Sequence, residues 1–164
     1  MDHPRCGGSG HAATSRAAHE AGRPSGRTGE GPLRPMIYLD TSAALAQILA
    51  EDQVPPATLW QEPLVSSRLI EYEVWTRIHA RRLGASRGDE VRALLARVSL
   101  IEMAPPVLAR ALEPFPTPVR TLDALHLASM EFLRANGQTV QLASYDRRLL
   151  AAARGMRFAI LSLR

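Results

Sequence analysis

From residue 36 onward the sequence alternates short runs of strand-forming residues with longer stretches of helical periodicity, and this alternation restricts the fold more than any other feature. Met36–Leu39 is apolar and extended, and the Thr41-Ser42 pair then opens a helix running to about Ala50. Pro55-Pro56 starts a short helix through Trp60, Leu64–Ser66 is a second extended run, and Arg68 to about Leu83 reads as a long helix stopped by Gly84. Ser86 caps a helix to about Val98, Leu100–Met103 is a brief strand, and Pro105-Pro106 begins a helix to about Leu112. After a rigid loop bearing Pro114, Pro116 and Pro118, Thr121–Ala135 is helical and closes at Asn136-Gly137. Val140–Ser144 is a strand, Arg147–Arg154 a helix ended by Gly155, and Phe158–Leu161 a last short strand. Parallel neighbours need crossover connections, which are usually helices, so the expected fold is an α/β sandwich around a central, mainly parallel sheet.

Residues 1–35 contrast with this pattern. They hold seven of the 11 glycines, no aromatic residue and one large aliphatic, Leu33. Such a stretch buries too little apolar surface to offset the entropy of ordering it, so it is expected to be a disordered tail, with 36–164 as the folded domain. The break at Met36 also suggests that translation naturally starts there, an expectation that intact mass from the native host would check. The one cysteine, Cys6, excludes an internal disulfide and a thiolate metal site and points to a reducing, cytoplasmic setting. No apolar run is long enough to span a bilayer, and the N-terminus has no secretory h-region. All 20 basic residues are arginine, and the formal charge of +4 is too modest to identify a nucleic-acid partner by itself.

Four acids stand out by context. Asp40 and Asp146 each follow a strand and precede a helix, at the carboxyl ends where parallel sheets bind ligands. Each is equally readable as a helix N-cap. Asp123 lies in the first turn of its helix, where the macrodipole favours negative charge, but its neighbours Leu122, Ala124, Leu125, Leu127 and Ala128 are apolar, and a carboxylate there needs a partner or a metal. The fourth acid comes from the Arg68–Leu83 helix, where Glu71 and Glu73 lie about 200° apart and only one can face a given site. Converging carboxylates repel unless a cation neutralises them, and an all-oxygen set selects Mg²⁺ or Mn²⁺ over zinc. The matching chemistry is phosphodiester hydrolysis.

Met36-Ile37-Tyr38-Leu39-Asp40-Thr41-Ser42-Ala43, Ser67 followed six residues on by Glu73, Arg120-Thr121-Leu122-Asp123-Ala124-Leu125-His126-Leu127-Ala128, and Ala143-Ser144-Tyr145-Asp146 closely resemble the four conserved blocks of PIN-domain ribonucleases, especially VapC toxins. The resemblance spans 36–164 and implies a PIN-like three-layer sandwich. It implies Asp40, Glu73, Asp123 and Asp146 as metal-binding acids, with Thr41 or Ser42 and Ser144 as hydroxyls that orient ligands or water. Within the second block the spacing from Ser67 favours Glu73, whereas helix amphipathicity does not separate it from Glu71. The family implies Mg²⁺- or Mn²⁺-dependent cleavage of RNA, a homodimer, and inhibition by a VapB-type antitoxin whose tail occupies the acidic groove.

Other signals carry less. Asp123-x-x-His126 suits a di-iron bundle, but no further Glu-x-x-His pairs exist, and His126 reads as a core histidine or one supporting a ligand from behind. An aspartyl phosphatase would want an acid where Ser42 stands. Tyr72, Trp60 and Trp75 fit a core or dimer surface better than a base-stacking platform. Arg77, Arg81, Arg82 and Arg87 form a basic cluster that is either a solvated helix face or a phosphate-tracking patch; with Arg120, they are the candidate RNA contacts. The alternative to a nuclease is a PIN-fold RNA-binding or partner-regulated module with vestigial acids, although a pure binder has no reason to concentrate negative charge where RNA must lie.

Overall fold

The structure, a computed structural model, describes residues 34–50 and 52–163; the expected tail falls, save Arg34 and Pro35, outside the described residues. The elements are β1 (Met36–Leu39), α1 (Thr41–Leu49), a 3-10 turn (Ala57–Gln61), β2 (Leu64–Ser67), α2 (Leu69–Ala80), α3 (Gly84–Leu95), β3 (Val98–Ile101), α4 (Pro105–Ala111), α5 (Thr121–Ala135), β4 (Val140–Ala143), α6 (Arg147–Gly155) and β5 (Ala159–Ile160). The strands form one sheet in the order β3-β2-β1-β4-β5, and every pairing is parallel.

The two-residue period of a strand explains the layers. In β1, Ile37 and Leu39 join an apolar cluster with Ala43 of α1, Ile70 and Val74 of α2 and Val91 of α3. Tyr38, between them, joins a second cluster with Leu127 and Met130 of α5 and Leu149 and Ala152 of α6. Both sheet faces are therefore covered, as an all-parallel sheet requires. Each fully buried Leu or Ile contributes about 1.5–3 kcal/mol by leaving water, so the two clusters, not helix propensity, hold the layers together.

Several element boundaries differ from those expected. The cap of α1 is Asp40, not the Thr41-Ser42 pair: its side chain accepts the Ser42 N–H. The helix after Arg68 stops at Ala80, and the left-handed turn beyond it is taken by Arg82 at φ 59°, not by a glycine. Gly84 instead opens α3, where a Cβ would come within 3.1 Å of the His79 ring, so it marks a close approach rather than a helix stop. Ser86 lies inside α3 and its hydroxyl turns back to the Leu83 carbonyl at 3.4 Å. That helix ends at Leu95, which frees Val98–Ile101 to pair with Leu64–Ser67, so β3 lies two residues earlier than its composition suggested. Gly155 is the last residue of α6, with the left-handed position falling to Arg157 at φ 62°.

Candidate active site

The strand order reverses between β1 and β4, the switch point at which the carboxyl ends of a parallel sheet leave a crevice. Asp40 and Asp146 lie just past these two neighbouring strands, whose last residues Leu39 and Ala143 are paired. Both are N-caps. Asp40 Oδ2 accepts from Ser42 N at 3.1 Å, and Asp146 Oδ1 accepts from Arg148 N at 2.7 Å and Leu149 N at 3.2 Å. Capping occupies one oxygen of each carboxylate, so it does not compete with a site built from the other.

Two serines lock the pair together. Ser42 Oγ donates to Asp40 Oδ2 at 2.5 Å and accepts the Tyr145 N–H at 2.9 Å. Ser144 Oγ donates to the same Asp40 oxygen at 2.8 Å and accepts the Asp146 N–H at 2.9 Å. Each hydroxyl thus spends its one proton on Asp40 and fixes the backbone around Asp146 with a lone pair.

The acids share a cleft of about 670 Å³ whose lining includes Asp40, Glu73, Asp123 and Asp146 with Arg77 and Arg81. Glu73 faces it; Glu71 points elsewhere, paired with Arg68 at 2.8 Å. Among the basic residues, Arg77 and Arg81 belong to this cleft, whereas Arg82 and Arg120 are exposed outside its lining and Arg87 pairs with Glu90 at 2.8 Å. Burial raises the pKa of Asp123, and the negative charges of Asp146 and Asp40 raise it further against the pull of the Arg120 backbone and of His126. Asp123 therefore senses two carboxylates from separate parts of the chain.

Glu73 is held differently. Its Oε2 accepts from Thr41 Oγ1 at 2.5 Å and from His126 Nε2 at 2.8 Å. Burial opposes its ionisation, but His126, the Thr41 hydroxyl and the charge of Arg77 hold its carboxyl below the usual range. His126 is 2% exposed and meets the Tyr38 hydroxyl through Nδ1 at 2.9 Å and Ser67 Oγ at 3.3 Å. Burial would drive its pKa down; Tyr38, the hydrogen bond to Glu73 and the charges of Asp40 and Glu73 push it up to about 10. Hydrogen-bond roles pull the other way, because the Tyr38 oxygen already accepts the Ser67 N–H at 3.0 Å and its own proton is best spent on a neutral Nδ1. In either charge state Nε2–H donates to Glu73. The sequence named Tyr38 and Ser67 only as members of the first and second blocks and assigned neither a role; their bonds to His126 come from the fold.

The donor set is all oxygen, and Asp123, raised first by burial and then by the charges of Asp146 and Asp40, would have its charge offset by a cation held there, which fits a hard divalent ion. Among the described residues no three His, Cys, Asp or Glu side chains already converge as a finished cage. The hydrogen bonds explain the open arrangement, since one oxygen of Glu73 is committed to His126 and Thr41 and one of Asp40 to the two serines.

A doubly wound parallel sheet with an acidic cleft at its switch point defines the class: the chain belongs to the PIN domain family, which it matches over residues 37–155. It is similar to ribonuclease VapC47 of Mycobacterium tuberculosis, 28% identical over 134 residues, covering 77% of this chain and 96% of that protein. Ribonuclease VapC46 of the same organism is 31% identical over 129 residues, with the same coverage. In fold it resembles the crystal structure of M. tuberculosis VapC20, a sarcin-ricin loop cleaving toxin, at a TM-score of 0.53 and 22% identity, covering 71% of this chain and 94% of that one.

Proposed function

We propose that the chain is a divalent-metal-dependent endoribonuclease, the toxin of a toxin–antitoxin pair, acting in the cytoplasm as a homodimer and restrained by a VapB-type antitoxin. The observation that carries this reading is the convergence of Asp40, Glu73, Asp123 and Asp146, from four separate parts of the sequence, on one cleft. Similarity to VapC ribonucleases along nearly their whole length supports the substrate class. Among the described residues no helix is long and apolar enough to cross a membrane.

Asp40, Asp123 and Asp146, with Glu73, would hold Mg²⁺ or Mn²⁺. When bound, such an ion polarises the scissile phosphate and lowers the pKa of the attacking water. The chain's own residues do the positioning: Ser42 and Ser144 fix Asp40, Thr41 and His126 fix Glu73, and Arg77 and Arg81 offset part of the negative field that would repel the RNA backbone. Zinc is not expected, because His126, among the described residues the one histidine lining the cleft, is engaged at both ring nitrogens.

Single-turnover cleavage of an end-labelled RNA tests the reading. Activity is expected with Mg²⁺ or Mn²⁺ and should vanish in excess chelator; undiminished cleavage in chelator, with an identically purified Asp40→Asn protein silent, would defeat it. The same assay separates the two glutamates. Glu73→Gln should abolish cleavage, whereas Glu71→Gln, which removes only a half-exposed pair with Arg68, should stay within about twofold and cost at most about 1 kcal/mol of stability.

A further inference from the structure

A second cavity, of about 800 Å³, opens beside the acidic cleft and shares Asp52, Gln53 and Tyr145 with it. Its charge has the opposite balance. The acidic cleft sets five carboxylates against Arg77 and Arg81, whereas the second cavity sets Arg147 and Arg154 against Asp52 alone. Leu150, Ile160 and Leu161 give this cavity an apolar wall.

The two arginines are placed as a pair. Seven residues on a helix bring side chains back to one face within about 20° and separate their Cα atoms by about 10 Å along the axis, enough to meet two different phosphates of one strand. Both are exposed, and among the described residues neither guanidinium is taken up by an ion pair or a hydrogen bond. Arg147 is also the first residue of α6, directly after the capping Asp146, whose carboxylate is taken by the Arg148 and Leu149 N–H groups and not by the Arg147 guanidinium. Between the cavities stands Tyr145, half-buried, its N–H bonded to Ser42 Oγ at 2.9 Å and its hydroxyl donating to the Leu163 carbonyl at 3.3 Å. A ring held at both ends is a rigid surface against which a base can stack.

We propose that the second cavity is a subsite for single-stranded RNA, in which Arg147 and Arg154 bind phosphates of the nucleotides flanking the bond cut in the acidic cleft and the strand passes between the cavities at Tyr145. This rests on the nuclease reading above. It also answers an electrostatic need: five carboxylates cannot attract a polyanion, so the strand must be held by cations beside them.

Fluorescence anisotropy of a labelled 12-nucleotide RNA, titrated in chelator over a salt series, tests the subsite without cleavage. The Arg147→Gln/Arg154→Gln protein should bind about tenfold more weakly or worse, and its plot of log affinity against log salt should be shallower by about 1.4, the value for two phosphate contacts on a single strand. Arg148→Gln, an equal charge loss per residue just outside the cavity, should change affinity less than twofold. With Mg²⁺ present, the double variant's cleavage defect should be about tenfold greater on the 12-mer than on a dinucleotide. Wild-type affinity and slope in the double variant, an equal loss in Arg148→Gln, no RNA binding by the wild type, or a defect confined to binding of a protein antitoxin would each overturn the proposal. If the wild type binds RNA through these arginines but cuts neither substrate, the subsite stands and the nuclease reading falls.

Discussion

Asp123→Asn should leave the melting temperature in chelator level or raise it, while cleavage falls by more than the roughly 10–100-fold typical of changes one layer behind a metal ligand. Asparagine keeps the shape and loses the charge. In the metal-free protein the Asp123 carboxyl has a raised pKa, from burial first and from the charges of Asp146 and Asp40 after it. A carboxyl whose folded-state pKa lies above its unfolded value stabilises the fold while protonated. That stability is present below the unfolded pKa and is lost as pH rises through the raised folded one. Near neutrality Asp123 is therefore a net penalty, and asparagine removes both the penalty and its pH dependence. An acid serving only as a favourable charge in the first turn of α5 gives the opposite sign, a loss of about 0.3–1 kcal/mol with cleavage nearly intact. Melting curves between acid and neutral pH, run in chelator beside single-turnover cleavage, distinguish the two. A destabilised variant that still cuts RNA would remove Asp123 from the site.

The uneven legibility of this molecule follows from the range over which each signal acts. The alternation of strands and helices is local, and so is the placing of Asp40 and Asp146 at strand ends; both could be read because neighbouring residues suffice. Periodicity places Glu71 and Glu73 on opposite sides of α2 but does not say which side meets the sheet's carboxyl edge. That depends on how α2 packs, which buries Leu69, Ile70, Val74 and Ile78. Gly84 misled for a related reason: glycine after a helical run normally marks a stop, but here it admits the His79 ring. Arg147 and Arg154 look in sequence like ordinary solvated helix charges, and only the fold of β4, α6 and β5 shows that they share a cavity wall with Tyr145. The contacts of His126 were the least accessible, since its partners lie 88, 59 and 53 residues away along the chain.

Those contacts make His126 the position where fold and chemistry should separate most cleanly. His126→Ala leaves the Tyr38 and Ser67 hydroxyls and Glu73 without their shared partner inside a packed core. The cavity left by the buried ring and the Tyr38 proton left without an acceptor together cost about 3–5 kcal/mol, and for a domain of this size each kcal/mol lowers the melting temperature by roughly 3 °C, so a fall on the order of 10 °C is expected. Two amides divide the loss. His126→Asn puts an amide near the former Nδ1, so it can still meet Tyr38 but withdraws the donor from Glu73. Because Glu73 keeps Thr41 and is partly open to water, stability should largely hold while cleavage drops. His126→Gln reaches the former Nε2 and can still donate to Glu73, but it leaves the proton of the fully buried Tyr38 hydroxyl without an acceptor, at about 1–3 kcal/mol. Here cleavage should recover and stability should not. Rates per folded molecule, measured well below each variant's melting temperature, provide the comparison. If asparagine and glutamine rank in the same order for stability and for cleavage, His126 is a packing residue only, and Glu73 is positioned without it.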